Sequence, residues 1–268
     1  MVRAMSFLHR VFTPLGIATV LCGLPAVVVL AQSAGTPIAQ VEAADFLNRG
    51  LQKAKQGDYA GAIADYTRVI RANPNSTEAY LNRALAYHDL GDFRKAIADL
   101  NQVLRINPNN AIALYNRGDT HMDVGDFQSA IADLDKAIRV NPNYAEAYNQ
   151  RSVVHAALGD TQKSLADLNQ AIRLNPNYAD AYYNRGKTRT ELGDAKGAIE
   201  DYNQALRLNP ELAEAYGNRG LLYSQMGDRQ AALADLQRAA QLFAKQGDSD
   251  SYKQTQVYIQ QVQQTSKP

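Results

Sequence analysis

The dipeptide Gly-Asp recurs at Gly57-Asp58, Gly91-Asp92, Gly125-Asp126, Gly159-Asp160, Gly193-Asp194 and Gly227-Asp228, each step 34 residues long. Asn-Pro pairs keep the same register, with prolines at Pro74, Pro108, Pro142, Pro176 and Pro210. A fixed period of this length leaves few architectures open. Each period must be one supersecondary unit, and stacking must cover the apolar face that a single unit cannot bury. Counting from residues 43, 77, 111, 145, 179 and 213 gives six units, ending at residue 246.

Each unit reads as two helices. Ala130, Ile131, Leu134, Ala137 and Ile138 recur at the spacing of one helical face. Gly125 is suited to end the first helix in a left-handed conformation, and Asp126 to cap the second. Asn141-Pro142 stops the second helix, since proline cannot continue it. Small residues stand where two helices must come close. Gly50, Ala84, Gly118, Ser152, Gly186 and Gly220 occupy the first helices, facing Ala62, Ala96, Ala130, Ser164, Ala198 and Ala232 on the second.

The pattern Leu114, Gly118, Gly125, Phe127, Ala130, Ala137 and Pro142 resembles the tetratricopeptide repeat (TPR) family, and the likeness returns six times over residues 43–246. The resemblance implies an all-α solenoid, a right-handed superhelix of helix pairs whose first helices line a concave groove. It also implies a scaffold that holds peptides or partner proteins. In the sixth unit Phe243-Ala244 replaces Asn-Pro, so the second helix is expected to continue to Lys245. After Gly247-Asp248, Ser249 or Ser251 can cap a last helix reaching about Gln264, with Tyr252, Val257, Tyr258, Ile259 and Val262 on its apolar side. Residues 247–268 are thus expected to close the open end of the solenoid.

The amino terminus differs from the repeats. Residues 1–31 contain no acid, carry Arg3 and Arg10, and have no charge from Val11 to Leu30. This is the layout of a secretory leader, with Val29-Leu30-Ala31 as the favoured cleavage site and Ala39 as a second. An uncleaved membrane anchor over residues 11–30 is the alternative, although Pro14, Gly16, Gly23 and Pro25 interrupt the run. Cys22 lacks the small preceding residue of a lipoprotein signal, because Leu21 stands there. Both readings place the repeats across a membrane, in a periplasmic, lumenal or secreted location. Residues 32–42 read as a polar linker.

Candidate chemistry is absent from the sequence. The chain holds 28 basic and 27 acidic residues, spread evenly, which argues against a nucleic-acid surface. One cysteine leaves neither an internal disulfide framework nor a cysteine-based zinc site. His121 and His155 occupy equivalent places in neighbouring units, too far apart to share a metal, and a packing or surface role is expected for the histidines, His88 included. No P-loop, GxGxxG, HExxH or GxSxG motif occurs. No cofactor, metal or catalytic residue is expected.

Three rows of residues carry the functional reading. Position 7 of every unit is arginine, at Arg49, Arg83, Arg117, Arg151, Arg185 and Arg219, where the TPR family often has leucine. Position 23 is aspartate, at Asp65, Asp99, Asp133, Asp167, Asp201 and Asp235. Antiparallel helices folded about position 15 bring these two rows level, so six structural ion pairs are expected, with arginine gripping each carboxylate through two nitrogens. Position 6 is Asn48, Asn82, Asn116, Gln150, Asn184 and Asn218, which resembles the asparagine ladder of O-linked N-acetylglucosamine transferase. Such amides can both donate to and accept from an extended peptide without reading its sequence. Leu47, Leu51, Leu81, Leu85, Tyr115 and Tyr183 are expected to flank that ladder and anchor apolar side chains. Eight acids lie at positions expected to face the groove, namely Glu78, Asp89, Asp119, Asp123, Glu146, Asp180, Glu191 and Glu214, against Lys55 and Lys187. The expected partner is therefore an extended protein segment with apolar and basic side chains. Rival readings are a membrane-anchored assembly factor or chaperone, and a regulatory subunit of an exported enzyme.

Overall fold

The computed structural model describes residues 37–264, with side chains from residue 42. The leader, Cys22 and the Ala31 cleavage site lie outside the described residues. Thirteen helices and no strand occur among the described residues. They fall into two compact units, α1–α7 within residues 25–158 and α8–α13 within residues 159–268. The first comprises α1 (Pro37–Lys55), α2 (Tyr59–Ala72), α3 (Thr77–Asp89), α4 (Phe93–Ile106), α5 (Ala111–Asp123), α6 (Phe127–Val140) and α7 (Ala145–Ala157). The second comprises α8 (Thr161–Leu174), α9 (Ala179–Glu191), α10 (Ala195–Leu208), α11 (Ala213–Gln225), α12 (Arg229–Gln246) and α13 (Ser249–Gln264). Helix α1 begins at Pro37, so residues 37–42 lie in its first turns, and residues 32–36 of the expected linker lie outside the described residues.

Local chemistry sets the element ends. Gly125 has φ 79°, a left-handed conformation that costs glycine little, and its N–H donates to Met122 O at 2.9 Å. The next residue turns the chain into α6, where the Asp126 carboxylate accepts from Ser129 N at 3.1 Å. At the other end, Asn141 is extended, as a residue before proline must be. Its side-chain oxygen accepts from Asn143 N at 3.1 Å, and Asn73, Asn107, Asn175 and Asn209 accept from the residue two further on in the same way. The asparagine of each Asn-Pro pair therefore shapes the turn that the proline only permits.

Close approach explains the small residues on the first helices. A Cβ at Gly118 would lie 2.9 Å from Leu134 Cγ and 3.2 Å from the Ala130 carbonyl oxygen. Helices α5 and α6 thus meet where position 8 faces position 20. Leu114, Ala130, Leu134 and Ala137 are fully buried there, continuous with Leu100 and Val103 of α4.

The end of the second unit departs from the repeat. Without Asn-Pro, α12 runs to Gln246 and stops at Gly247, φ 78°. Tyr258, Ile259 and Val262 of α13 pack on Leu236, Ala239 and Phe243 of α12, while Tyr252 and Val257 remain exposed. Asp248, not Ser249 or Ser251, supplies the cap, accepting from Ser251 N at 3.0 Å. The aspartate sits at the residue before the helix, where its carboxylate reaches the third backbone N–H.

Candidate partner-binding face

Positions 7 and 23 meet as the register requires. Arg83 donates from Nε to Asp99 Oδ2 at 2.7 Å and from Nη2 to Asp99 Oδ1 at 2.8 Å. The same two-nitrogen grip joins Arg49 to Asp65, Arg117 to Asp133, Arg185 to Asp201 and Arg219 to Asp235. Arg151 and Asp167 fall one in each compact unit, and Asp167 is buried like its counterparts. A buried carboxylate needs such a partner, since removing its charge from water is costly. Arg49, with help from Lys53 at 2.9 Å, holds Asp65 well below the usual carboxylate range.

The third guanidinium nitrogen reaches a row that the position-7 and position-23 pattern does not disclose. Nη1 of Arg83, Arg117, Arg151, Arg185 and Arg219 donates to Thr67, Asn101, Asp135, Asn169 and Asn203 in turn, at 2.6–2.9 Å. These acceptors are position 25 of the preceding repeat. Arg83, Arg117, Arg185 and Arg219 therefore each tie their own second helix to the second helix before it. Arg49 has no preceding repeat among the described residues, and its side chain is 47% exposed against 15% for Arg83. Under the guanidinium, position 4 contributes a ring at 4.7–5.6 Å in five repeats, from Phe46, Tyr80, Tyr148, Tyr182 and Tyr216. Both rows were visible as polar and aromatic repeats in the sequence, but only the three-way geometry gives them a purpose.

The first helices within residues 25–158 touch in order, α1 to α3, α3 to α5 and α5 to α7. The position-6 amides are carried by the first helices of both units. Asn48 is exposed, Asn82 and Asn116 half-buried, and Asn116 Nδ2 donates back to Ile112 O at 2.9 Å. Gln150 Nε2 donates to Asp119 Oδ1. In the second unit Asn184 and Asn218 are half-buried, and Asn218 Nδ2 donates to the Tyr183 hydroxyl at 3.3 Å. Leu85 is exposed, while Leu47 and Leu51 pack partly on Tyr66 and Ala62, and Leu81 and Tyr115 on the neighbouring core. Tyr183 differs from expectation. It is 5% exposed and packs against Tyr202 at 6.1 Å, and its hydroxyl accepts from Asn218 Nδ2.

The acids of this face are unevenly neutralised. Burial raises the carboxyls of Asp89 and Asp180 above their ordinary values. Burial also lowers the Lys187 ammonium. In the first unit, His88 Nε2 lies 2.9 Å from Asp123 Oδ2 and 3.7 Å from Asp119 Oδ2. Burial and the neighbouring Asp123 charge push Asp119 up to about 6. His88, Asp119 and Asp123 escape a comparison of histidines with one another. The readable signal was Asp119 and Asp123 at i, i+4, with a histidine one repeat earlier. His121 and His155, by contrast, belong to position 11, where His121 Nε2 stands 3.9 Å from Asp133.

No described helix is long and apolar enough to cross a membrane. Tetratricopeptide repeat patterns match residues 47–111, 115–179, 168–200 and 213–246, and a TPR repeat pattern matches residues 186–227. No curated protein sequence matches the chain. Among solved structures, MamA is 32% identical over 62% of this chain and 96% of its own, with a TM-score of 0.55. Pseudomonas aeruginosa pilF is 16% identical over 82% and 99%, with a TM-score of 0.70. YrrB, described as a TPR protein with an unusual peptide-binding site, is 22% identical over 71% and 97%, with a TM-score of 0.53. The last two likenesses concern the fold alone. TPR repeats bind protein and peptide segments and are generally non-catalytic. With the matched segments running through all six units, the chain belongs to the tetratricopeptide repeat family.

Proposed function

We propose that the chain is an exported, non-catalytic scaffold whose first-helix faces bind extended protein segments bearing apolar and basic side chains. The observation that carries this reading is the occupation of the arginine row. In five repeats each arginine spends two nitrogens on the aspartate of its own unit. Those arginines do not offset the acids of the first helices. At the first-helix positions expected to line the groove, residues 25–158 carry Glu78, Asp89, Asp119, Asp123 and Glu146 with Lys55 as their lysine, and residues 159–268 carry Asp180, Glu191 and Glu214 with Lys187. A wall of one sign raises the local concentration of oppositely charged segments and speeds their encounter.

The amides and leucines support the same reading. Asn82 and Asn116 offer backbone-like donors and acceptors beside Leu81 and the exposed Leu85. Each such hydrogen bond contributes only about 0.5–1.5 kcal/mol, so useful affinity needs several repeats or an apolar anchor. Export rests on the composition of residues 1–31. Photo-crosslinking residues placed at Asn82 and, as a control, at the exposed Ala98 of α4 test the assignment in the native envelope. The proposal expects one partner captured from Asn82 and not from Ala98. Capture from Ala98 alone would move the binding face to the second helices.

A further inference from the structure

We infer that His88, Asp119 and Asp123 form a binding site for one first-row transition-metal dication, with zinc as the expected occupant. The three residues come from two repeats. His88 lies at position 12 on α3, while Asp119 and Asp123 are one turn apart at positions 9 and 13 of α5. One ligand atom from each lies within 4.8 Å of the other two. His88 Nε2 is 2.9 Å from Asp123 Oδ2 and 3.7 Å from Asp119 Oδ2. A tetrahedral zinc with bonds of about 2.0–2.1 Å holds its ligands about 3.3 Å apart, a value that these two distances bracket. A small inward shift would seat the ion between His88 Nε2 and the two carboxylates.

The repeat itself does not call for these residues. Position 12 is otherwise Ala54, Met122, Ala156, Thr190 and Ser224. Position 9 is otherwise Leu51, Leu85, Val153, Lys187 and Leu221, and no other unit has acids at both 9 and 13. Two departures from the periodic pattern, His88 and Asp119, therefore converge on Asp123, where two carboxylates would otherwise repel. Gln150 of α7 adds an outer contact, donating from Nε2 to Asp119 Oδ1 and leaving Oδ2 turned toward His88. Outer partners of this kind orient metal ligands. The side chains of His88, Asp119 and Asp123 are 18%, 15% and 22% exposed, which leaves an entry path and room for water as a fourth ligand. One imidazole with two carboxylates suits zinc and its neighbours, whereas calcium and magnesium prefer oxygen alone. Occupancy would staple α3 to α5 and cancel two acids of the binding face.

The full chain, stripped with chelator, is titrated with zinc chloride by calorimetry and with cobalt(II) by visible absorption. The inference expects one equivalent bound, ligand-field bands from cobalt, and a rise in melting temperature with zinc. His88→Ala and Asp123→Asn should each weaken zinc at least about tenfold, and Gln150→Ala about tenfold with stoichiometry unchanged. Melting without metal establishes that the variants fold, and the near-isosteric Asp123→Asn serves if His88→Ala does not. No zinc binding by the wild type, or equal binding by folded His88→Ala and Asp123→Asn, would overturn the site. Binding of calcium in preference to zinc would overturn its assigned class.

Discussion

Arg117 Nη1 donates to Asn101 Oδ1 at 2.6 Å, across the boundary between the second and third repeats. The same guanidinium holds Asp133 inside its own repeat with Nε and Nη2, at 2.7 and 2.5 Å. The five donors of a planar guanidinium make this possible, and a lysine could not serve both partners at once. A row that looks like surface charge in the sequence thus forms a joint between units.

The pairing inside a repeat is tested by a double-mutant cycle. Replacing Arg117 or Asp133 alone strands the other in a half-buried place and should cost about 3 kcal/mol. Replacing both with apolar residues of similar volume should cost much less. Denaturant unfolding of the four proteins gives the coupling, and simple additivity would contradict the pair.

The joint between repeats has its own test. Asn101→Ala leaves the Arg117–Asp133 pair intact and removes only the third contact. A hydrogen bond to a charged group contributes about 1.5–3 kcal/mol, and exposure of Asn101 should place the loss at the low end. Hydrogen exchange should show the loss in both adjoining repeats. A loss confined to one repeat would contradict the bridging role.

Asp65 makes stability depend on acid. Its folded-state pKa is lowered by Arg49 and Lys53, so the carboxylate stabilises the fold above its unfolded value of about 3.9. That contribution is lost as pH falls through the folded value. Wild type should therefore lose stability below about pH 4 more steeply than Asp65→Asn, which has no such proton to bind. Parallel pH profiles of the two proteins, measured by chemical denaturation, would contradict the assignment.

Export predicts a particular amino terminus. Protein purified from its native cells should begin at or near Gln32 by terminal sequencing. Recovery of residues 1–31 intact would instead favour the membrane-anchored version.

The periodic features of the sequence carried furthest into the structure. Gly118 facing Ala130, the Gly125 turn and the Arg117–Asp133 pair all follow from register, because a helix fixes which side chains share a level. Features that break or cross the period were harder to read. The Arg117–Asn101 contact spans two units, so a pattern sought within one unit leaves it out. Tyr183 occupies a position expected to face a partner, yet its ring turns inward onto Tyr202, which takes the place that Leu134 fills two repeats earlier. The cap of α13 went to Asp248 because backbone geometry, not serine content, chooses the capping residue.

The sign of the proposed binding face is open to direct measurement. The full chain is titrated, at low and high salt, with two fluorescent extended peptides that share their leucines and differ only in carrying lysine or glutamate. The lysine peptide should bind and the glutamate peptide should not. Binding should weaken with salt as the Debye length shrinks to about 8 Å and below, and Glu78→Gln with Glu146→Gln should weaken it further. Tighter binding of the glutamate peptide, or binding of the lysine peptide unmoved by salt and by the two substitutions, would contradict the claim that the first helices present a negative face to a basic segment.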